Sequence, residues 1–331
     1  MKILLTGATG FLGAQVLRIL VQKNYDVRAL KRPNSRMDLV ADIADKATWM
    51  DMDINDSALE DAFEGITHVC HCAAVVSFHP KDVRRMMQVN VEGTANLVNL
   101  ALDFGVEKFV HTSSIAALGR SKDRTHLDES SKWENSPLNT QYAISKYYAE
   151  QEVWRGEAEG LNVAIINPTM VIGPGYWNEN TARFFKQIYE GLKFCPTGAS
   201  GFVDVRDVAD FMVRLLESDI NGQRYVLCGE NTSYRAFFDA IAQQLNVPAP
   251  SITVAPWLAE IAWRVEWLKE AFTGATPMVT KESARSSVSR FTYGNQKSLA
   301  AFPDFRYRPL SESIAYTAAR FLADVKGAKV Q

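Results

Sequence analysis

Cysteine, net charge and long apolar runs are all scarce in this chain of 331 residues. Four cysteines predict a reduced, cytoplasmic set of thiols rather than a disulfide framework. Cys70 and Cys72 are two residues apart, which matches neither a C-x-x-C redox pair nor a zinc site, so we predict no metal centre. A formal net charge of −2 argues against nucleic-acid binding. No run reaches the roughly 18 apolar residues of a membrane-spanning helix, and the first residues lack a signal peptide's basic start.

Strand-like and helix-like segments alternate through the first half of the chain. Strands are predicted over residues 2–6, 26–30, 67–74, 108–114 and 162–168, and helices over 12–23, 58–63, 90–104 and 141–159. This alternation predicts βαβ units and an α/β fold, with a Rossmann-type doubly wound parallel sheet. The rhythm loosens from Gly173 onward. We therefore expect a main domain over residues 1–172, with a segment of about 202–228 returning to it, and a smaller, interleaved, mainly substrate-binding portion over 173–331.

Three glycines lie where the first predicted strand meets the first predicted helix, in the stretch TGATGFLG. A helix N-terminus offers unpaired N–H groups and partial positive charge to a pyrophosphate. Gly7 would permit the tight turn, Gly10 the close approach of phosphate, and Gly13 the packing of helix on strand. The spacing G-x-x-G-x-x-G differs from the common G-x-G-x-x-G fingerprint, and an ordinary glycine turn is the alternative.

A second motif is YAISK, in which Tyr142 and Lys146 lie one turn apart on one face of a predicted helix. A tyrosine with an ordinary pKa of about 10 is a poor acid–base catalyst at neutral pH. A neighbouring ammonium would bring that pKa toward the working range. The alternative is a surface pair on an amphipathic helix.

Together, these motifs resemble those of the extended branch of the short-chain dehydrogenase/reductase family. The family patterns T-G-x-x-G-x-x-G and Y-x-x-x-K match residues 6–13 and 142–146. Further segments resemble the family in the same order: HCAA at 71–74, NVEGT at 90–94, TSS at 112–114, NPTMVIGPG at 167–175 and FVDVRDVA at 202–209. The resemblance implies an NAD(P)-binding Rossmann domain and hydride transfer between a nicotinamide and a carbonyl carbon.

The resemblance also implies the catalytic groups. Tyr142 would donate the proton to the carbonyl oxygen or accept it in the reverse direction. Lys146 would lower the tyrosine pKa and hold the nicotinamide ribose, and Ser114 would hydrogen-bond the substrate oxygen. Ser113 is the alternative serine, because only one of two consecutive strand residues faces the site. Counting back from Gly119, which matches the glycine that ends this motif in the family, favours Ser114.

The cofactor site that the resemblance implies comprises Gly7, Thr9, Gly10, Phe11, Leu12, Gly13, Lys31, Arg32, Asp53, Ile54, Cys72, Ala73, Ala74, Thr112, Tyr142, Lys146, Pro168 and Val171. An acid at the end of the second strand is typical of NAD enzymes, and basic groups there suit the 2′-phosphate of NADP. Lys31 and Arg32, with no acid before Asp38, favour NADP(H), with NAD(H) as the other candidate. A solvated basic loop is the alternative interpretation. Asp53 matches the family's acid at the adenine amino group, with Ile54 beside the ring.

Two absences bear on the substrate. Dehydratases of this branch carry an Asp-Glu pair directly after the catalytic serine and its neighbour, whereas Ser114 is followed here by Ile115, Ala116 and Ala117. Epimerases often carry an R-D-F run, and Ser200 and Gly201 stand in its place. Arg183 and Arg206 could still serve a sugar-nucleotide diphosphate, so this weakens the epimerase interpretation without removing it.

The region after residue 173 is rich in aromatic residues, including three tryptophans on a helix predicted over 256–272. Core packing explains most of them, but their concentration favours an apolar pocket like those of dihydroflavonol-reductase and 3β-hydroxysteroid-dehydrogenase-like members. The charged face of that helix argues against membrane contact. We therefore predict an NADP-preferring reductase of a small, fairly apolar ketone or aldehyde. The alternatives are a sugar-nucleotide epimerase and a non-catalytic dinucleotide sensor, and a homodimer is left open.

Overall fold

A computed structural model describes residues 1–121, 123–273, 277 and 279–328. Its strands are β1 (Lys2–Thr6), β2 (Asp26–Lys31), β3 (Thr48–Asp51), β4 (His68–His71), β5 (Lys108–Thr112), β6 (His126–Leu127), β7 (Val163–Pro168), β8 (Met170–Ile172), β9 (Phe194–Pro196), β10 (Ala199–Asp204), β11 (Gln223–Leu227), β12 (Glu230–Ser233), β13 (Ile252–Val254) and β14 (Thr292–Tyr293). Its helices are α1 (Phe11–Gln22), α2 (Val83–Met86), α3 (Gly93–Asp103), α4 (Gln141–Ala158), α5 (Ala182–Tyr189), α6 (Val205–Leu216), α7 (Tyr234–Leu245), α8 (Pro256–Thr273), α9 (Lys281–Val288), α10 (Gln296–Ala301) and α11 (Leu310–Ala328).

The central sheet has seven strands in the order β11-β7-β5-β4-β1-β2-β3, and each neighbouring pair is parallel. Strands β2 and β3 lie in order on one side of β1, and β4, β5, β7 and β11 lie in order on its other side. The strand order therefore reverses between β1 and β4, which is where doubly wound folds bind ligands at the carboxyl ends of their strands. The predicted Rossmann-type α/β fold is confirmed.

Each face of the sheet has its own apolar core, because successive strand side chains point to opposite faces. Ile3 and Leu5 pack with α1 and α6, whereas Leu4 packs with α3 and α4. All three side chains are fully buried. This double burial explains why β1 reads as a continuous apolar run rather than an alternating one.

A second, smaller unit covers the carboxyl edge of the main sheet. It contains the three-stranded sheet β12-β10-β8 and the helices α5, α7 and α11 around a separate core. Several aromatic residues of this region belong to that core, whereas Trp257 and Trp267 on α8 are 67% and 60% exposed. Phe202 stacks on Phe237 with ring centroids 4.4 Å apart, and Trp177 meets Phe321 edge-on at 5.0 Å. These rings are packing elements rather than the walls of an apolar pocket.

Two predicted helices differ from the structure. The helix predicted over 58–63 is a short 3-10 turn, Leu59–Phe63, and the helix predicted from residue 90 begins with a π-helical turn, Met87–Glu92. Strand β3 was not predicted, because this four-residue edge strand is only partly buried and has no apolar alternation. Within the described residues, no helix is both long and apolar enough to cross a membrane.

Candidate active site

The glycine turn lies at the junction of β1 and α1 and leaves no room for side chains. Gly7 has a φ of +69°, and a Cβ atom there would lie 2.7 Å from the backbone nitrogen of Ala73. A Cβ atom at Gly13 would overlap the carbonyl oxygen of Gly7. Gly10 precedes α1, and no side chain caps the helix. The first backbone N–H groups of α1 can therefore bind an anion, and the turn fits a dinucleotide pyrophosphate.

The other residues expected at the cofactor surround this turn. Thr9 lies in it, and Phe11 and Leu12 begin α1. The Phe11 ring packs closely against Gly175 in the segment after β8. A Cβ atom at Gly175 would lie only 2.9 Å from Phe11 Cδ2. Thr6 Oγ1 accepts a hydrogen bond from the backbone N–H of Ala73 at 3.2 Å, which joins the turn to the end of β4.

The remaining expected cofactor residues lie at the carboxyl ends of the next strands. Cys72, Ala73 and Ala74 directly follow β4, Thr112 ends β5, Pro168 ends β7, and Val171 lies in β8. The Thr112 hydroxyl lies 3.6 Å from Cys72 Sγ. Burial raises the pKa of Cys72 to about 12, so its thiol stays protonated at neutral pH. Among the described residues, no cluster of three or more metal-ligating side chains is present.

Ser114, Tyr142 and Lys146 meet at the end of β5. Tyr142 and Lys146 lie in the first turns of α4, and the Lys146 Nζ atom donates to the backbone oxygen of Thr112 at 2.7 Å. Ser114 begins the 3-10 turn that follows β5, and its side chain acts to lower the pKa of Tyr142. Lys146 is 2% exposed. The structure therefore brings the three expected catalytic residues together.

The two consecutive serines have different partners. Ser113 is buried and donates its hydroxyl to Glu150 Oε2 at 2.6 Å. The Ser114 Oγ atom accepts from the backbone N–H of Ala116 at 3.1 Å, beside Tyr142. The Ser113 hydroxyl is thus used in a buried hydrogen bond, and the Ser114 hydroxyl is the one beside Tyr142.

The electrostatics of the pair differ from the sequence expectation. Burial raises the pKa of Tyr142, and the opposing effect comes from the hydrogen bond with Ser114 rather than from the Lys146 ammonium. Burial lowers the pKa of Lys146 to about 8, and the negative charge of Glu150 acts in the opposite direction. The expected lowering of the tyrosine pKa by Lys146 is absent here, and the ammonium donates to the Thr112 carbonyl.

Sequence reasoning missed a buried carboxylate behind these residues. Glu150 lies one turn beyond Lys146, and its side chain is 2% exposed. Its oxygens accept from Ser113, from Asn167 Nδ2 at 2.9 Å and from Arg224 Nη1 at 3.1 Å. These partners lie at β5, β7 and β11, so Glu150 ties three strands to α4. The sequence signal that could have revealed Glu150 is its position four residues after Lys146, which places both residues on one face of α4.

Of the three cations at the end of β2 and in the loop after it, two are paired with described carboxylates and one is not. Lys31 forms an ion pair with Asp51, its partner across β2 and β3. No acid stands in the loop before Asp38, but Asp51 reaches Lys31 from the neighbouring strand β3, which the sequence pattern does not reveal. Arg32 is exposed, and no described carboxylate pairs with it. Arg36 pairs with Asp38 at 3.1 Å and stacks over a tyrosine ring.

Asp53 and Ile54 follow β3 at the expected adenine end. Asp53 Oδ1 accepts from the backbone N–H of Asn55 at 3.1 Å. Ile54 is 5% exposed and packs against Gly93 at the start of α3. Ile54 is thus mainly a core residue under α3, which leaves little of its side chain for an adenine ring.

A Rossmann-type sheet, an uncapped glycine turn and a Ser-Tyr-Lys set define an NAD(P)-binding enzyme of the extended short-chain dehydrogenase/reductase class. The chain belongs to the NAD dependent epimerase/dehydratase family, whose sequence model matches residues 3–228. The resemblance inferred from the motifs is confirmed.

Two proteins that are similar in sequence to this chain are named as reductases. Over 306 residues the chain is 33% identical to "Putative dihydroflavonol 4-reductase" of Synechocystis sp., with 89% of this chain and 87% of that protein covered. Over 247 residues it is 31% identical to cinnamoyl-CoA reductase 1 of Petunia hybrida, with 70% and 73% covered.

Solved structures share the whole fold. The crystal structure of gox2253 matches with a TM-score of 0.81 and 31% identity, covering 98% of both chains. UDP-glucose 4-epimerase from Thermotoga maritima, solved with UDP-glucose, matches with a TM-score of 0.79, covering 98% of this chain and 100% of that one. Its identity of 20% shows likeness of fold alone.

Proposed function

We propose that this enzyme is an NADP(H)-preferring reductase that interconverts a ketone or aldehyde with its alcohol. The observation that carries the proposal is the meeting of Ser114, Tyr142 and Lys146 at the carboxyl edge of the sheet, close to the glycine turn. Relatives named as reductases support this chemistry.

Each of the three side chains has a distinct role in this proposal. When bound, the nicotinamide supplies or accepts the hydride. Tyr142 donates its phenolic proton to the carbonyl oxygen, and Ser114 hydrogen-bonds that oxygen as negative charge develops. Lys146, whose ammonium donates to the Thr112 carbonyl at the end of β5, holds the nicotinamide ribose in this proposal.

The substrate proposed is small and fairly apolar. The Phe78 ring lies edge-on to the Tyr142 ring, with centroids 6.0 Å apart. It therefore gives the catalytic tyrosine an apolar neighbour, which suits a carbonyl attached to an apolar body.

The NADP preference rests on Arg32. Its guanidinium is exposed at the end of β2, and no carboxylate among the described residues neutralises it. A free guanidinium can bind a 2′-phosphate in bidentate fashion. Lys31 contributes less to this proposal, because Asp51 already balances its charge.

A sugar-nucleotide epimerase is the second candidate, and the fold shared with UDP-glucose 4-epimerase favours it. Arg206 argues against it, because Asp204 binds its guanidinium at 2.6 Å and Glu312 at 3.3 Å. Arg183 is exposed and has no ion pair with any described residue, so one candidate for a diphosphate remains. A dinucleotide sensor is the third candidate, but sensing requires no proton donor at Tyr142.

Consumption of NADPH with a panel of ketones and aldehydes separates these candidates. The reductase oxidises one NADPH for each alcohol formed. An epimerase regenerates its cofactor within each turnover, and a sensor consumes none. Conversion of a UDP-sugar without net NADPH oxidation would replace the reductase proposal with the epimerase one.

A further inference from the structure

Arg120 is a half-buried cation next to the catalytic residues. It follows the 3-10 turn that begins at Ser114, at the carboxyl edge of the main sheet. Its backbone N–H donates to Asn139 Oδ1 at 2.8 Å, and Asn139 lies three residues before Tyr142. The backbone of Arg120 is thus fixed relative to both catalytic segments.

The hydrogen-bond partner and the aromatic partner of the Arg120 guanidinium are both neutral. Its Nη1 atom donates to Ser286 Oγ at 3.1 Å, and its carbon lies 5.0 Å from the centroid of the Phe291 ring. Its positive charge also acts on the buried Tyr293, where it opposes the rise in the pKa of the phenol. Among the described residues, no carboxylate forms an ion pair with it.

Three other partly buried arginines pair with buried carboxylates, and Arg28, which has no such pair among the described residues, donates to three backbone carbonyls. Arg224 meets Glu150, Arg206 meets Asp204, and Arg308 meets Asp207. Each of those three carboxylates has a side chain that is at most 2% exposed. Taking a charge out of water is costly unless an opposite charge or a set of hydrogen bonds compensates. Arg120 is therefore suited to an anion supplied from outside the chain.

Two tyrosine hydroxyls near Arg120 complete the polar surroundings. Tyr234 donates to the thioether sulfur of Met170 at 3.3 Å, which is a weak acceptor that an oxyanion could replace. Burial raises the pKa of Tyr234 to about 12 and also raises the pKa of Tyr293, and the charge of Arg120 opposes both shifts. Both hydroxyls therefore keep their protons at neutral pH and can donate hydrogen bonds.

We propose that Arg120, assisted by Tyr234 and Tyr293, binds an oxyanion of the substrate, either a carboxylate or a phosphate, on a part of the molecule away from the reacting carbonyl. The substrate class is then a carbonyl compound with an apolar body and one anionic group. This inference rests on the proposed reductase function, because the anion and the carbonyl belong to one molecule.

The test compares matched carbonyl compounds with and without the anion. One pair is 4-oxopentanoate and its methyl ester, and the other is dihydroxyacetone phosphate and dihydroxyacetone. NADPH oxidation gives kcat/KM for each compound, and calorimetry on the NADP⁺-loaded enzyme gives its Kd. The variants are Arg120→Gln, Arg120→Lys and, as a matched control, Arg264→Gln. Arg264 is exposed on α8 and pairs with Glu260, 2.9 Å away.

We expect the wild type to prefer the anionic member of at least one pair, and the preferred pair distinguishes carboxylate from phosphate. Arg120→Gln should reduce that preference roughly ten- to a hundredfold through the anionic member alone, because charge-assisted hydrogen bonds are lost. Arg120→Lys should retain part of the preference as a point charge, and Arg264→Gln should retain all of it.

Preference for the neutral member in both pairs, or an anion preference that survives in Arg120→Gln, would overturn the inference. If no compound is reduced but anions bind in an Arg120-dependent way, Arg120 is an anion site, and the reductase proposal fails together with the substrate class inferred from it. If the neutral compounds are reduced and no anion binds through Arg120, the reductase proposal stands and the inference fails.

Discussion

Ser113 and Ser114 are neighbours in the chain, but Ser113 donates to the buried Glu150 at 2.6 Å and Ser114 lies beside Tyr142. Ser114→Ala should lower kcat by a factor on the order of 10²–10³, because a donor to the developing oxyanion is lost. Ser113→Ala is the matched control. It should leave kcat within a few-fold and lower the free energy of unfolding by about 1–2 kcal/mol, since Glu150 loses one hydrogen bond. Steady-state kinetics and urea unfolding of both variants give the comparison, and equal kinetic losses would contradict the assignment of Ser114.

Arg32 and Lys31 should differ in their effect on cofactor binding, although both are basic. Arg32→Ala should weaken NADPH binding roughly ten- to a hundredfold and leave NADH binding nearly unchanged. Lys31→Ala should change NADPH binding only a few-fold, because Asp51 already neutralises the ammonium. Fluorescence titration of both cofactors against both variants measures this. Equal binding of NADH and NADPH by the wild type would show that the loop is only a solvated surface.

Glu150 should contribute substantially to the free energy of unfolding, because its carboxylate is buried and hydrogen-bonded. Glu150→Gln leaves Arg224 without its carboxylate and should lower the free energy of unfolding by about 2–4 kcal/mol. Glu152→Gln is a matched control on the same helix, because its ion pair with Arg155 is partly exposed and worth about 1 kcal/mol or less. Urea denaturation at neutral pH measures both. A loss at Glu150 no larger than that at Glu152 would show that the buried network contributes little.

Stability should also depend on the charge of Lys146. Its pKa is about 8 in the fold and about 10.5 when unfolded, so the unfolded chain binds more protons between these values. The stabilising contribution is therefore complete above pH 10.5 and is lost as the pH falls through 8. Relative to Lys146→Met, the wild type should gain stability as the pH rises from 8 to 10.5. Parallel pH dependences of the two proteins, measured by urea unfolding, would show that Lys146 does not titrate in this range.

The predicted elements and the missed ones differ in how local their signals are. The glycine turn and the Tyr142–Lys146 pair are visible because each is set by spacing within one strand–helix junction or one helix. The pairing of Lys31 with Asp51 depends on which strands are neighbours, and β3 has too few buried residues to reveal itself. The interior partners of Glu150 come from three strands that are far apart in sequence. Such contacts follow from the fold rather than from any local pattern.

The central claim is that Tyr142 gives a proton to a carbonyl while hydride arrives from NADPH. Its most direct measurement is the transfer of deuterium from 4-deuterated NADPH into the product alcohol, followed by mass spectrometry. The control is Tyr148→Phe, since Tyr148 is on the same helix and 49% exposed. Wild type and Tyr148→Phe should give labelled alcohol, whereas Tyr142→Phe should give none and still bind NADPH with nearly unchanged affinity. Labelled alcohol formed by Tyr142→Phe at the wild-type rate would contradict the account.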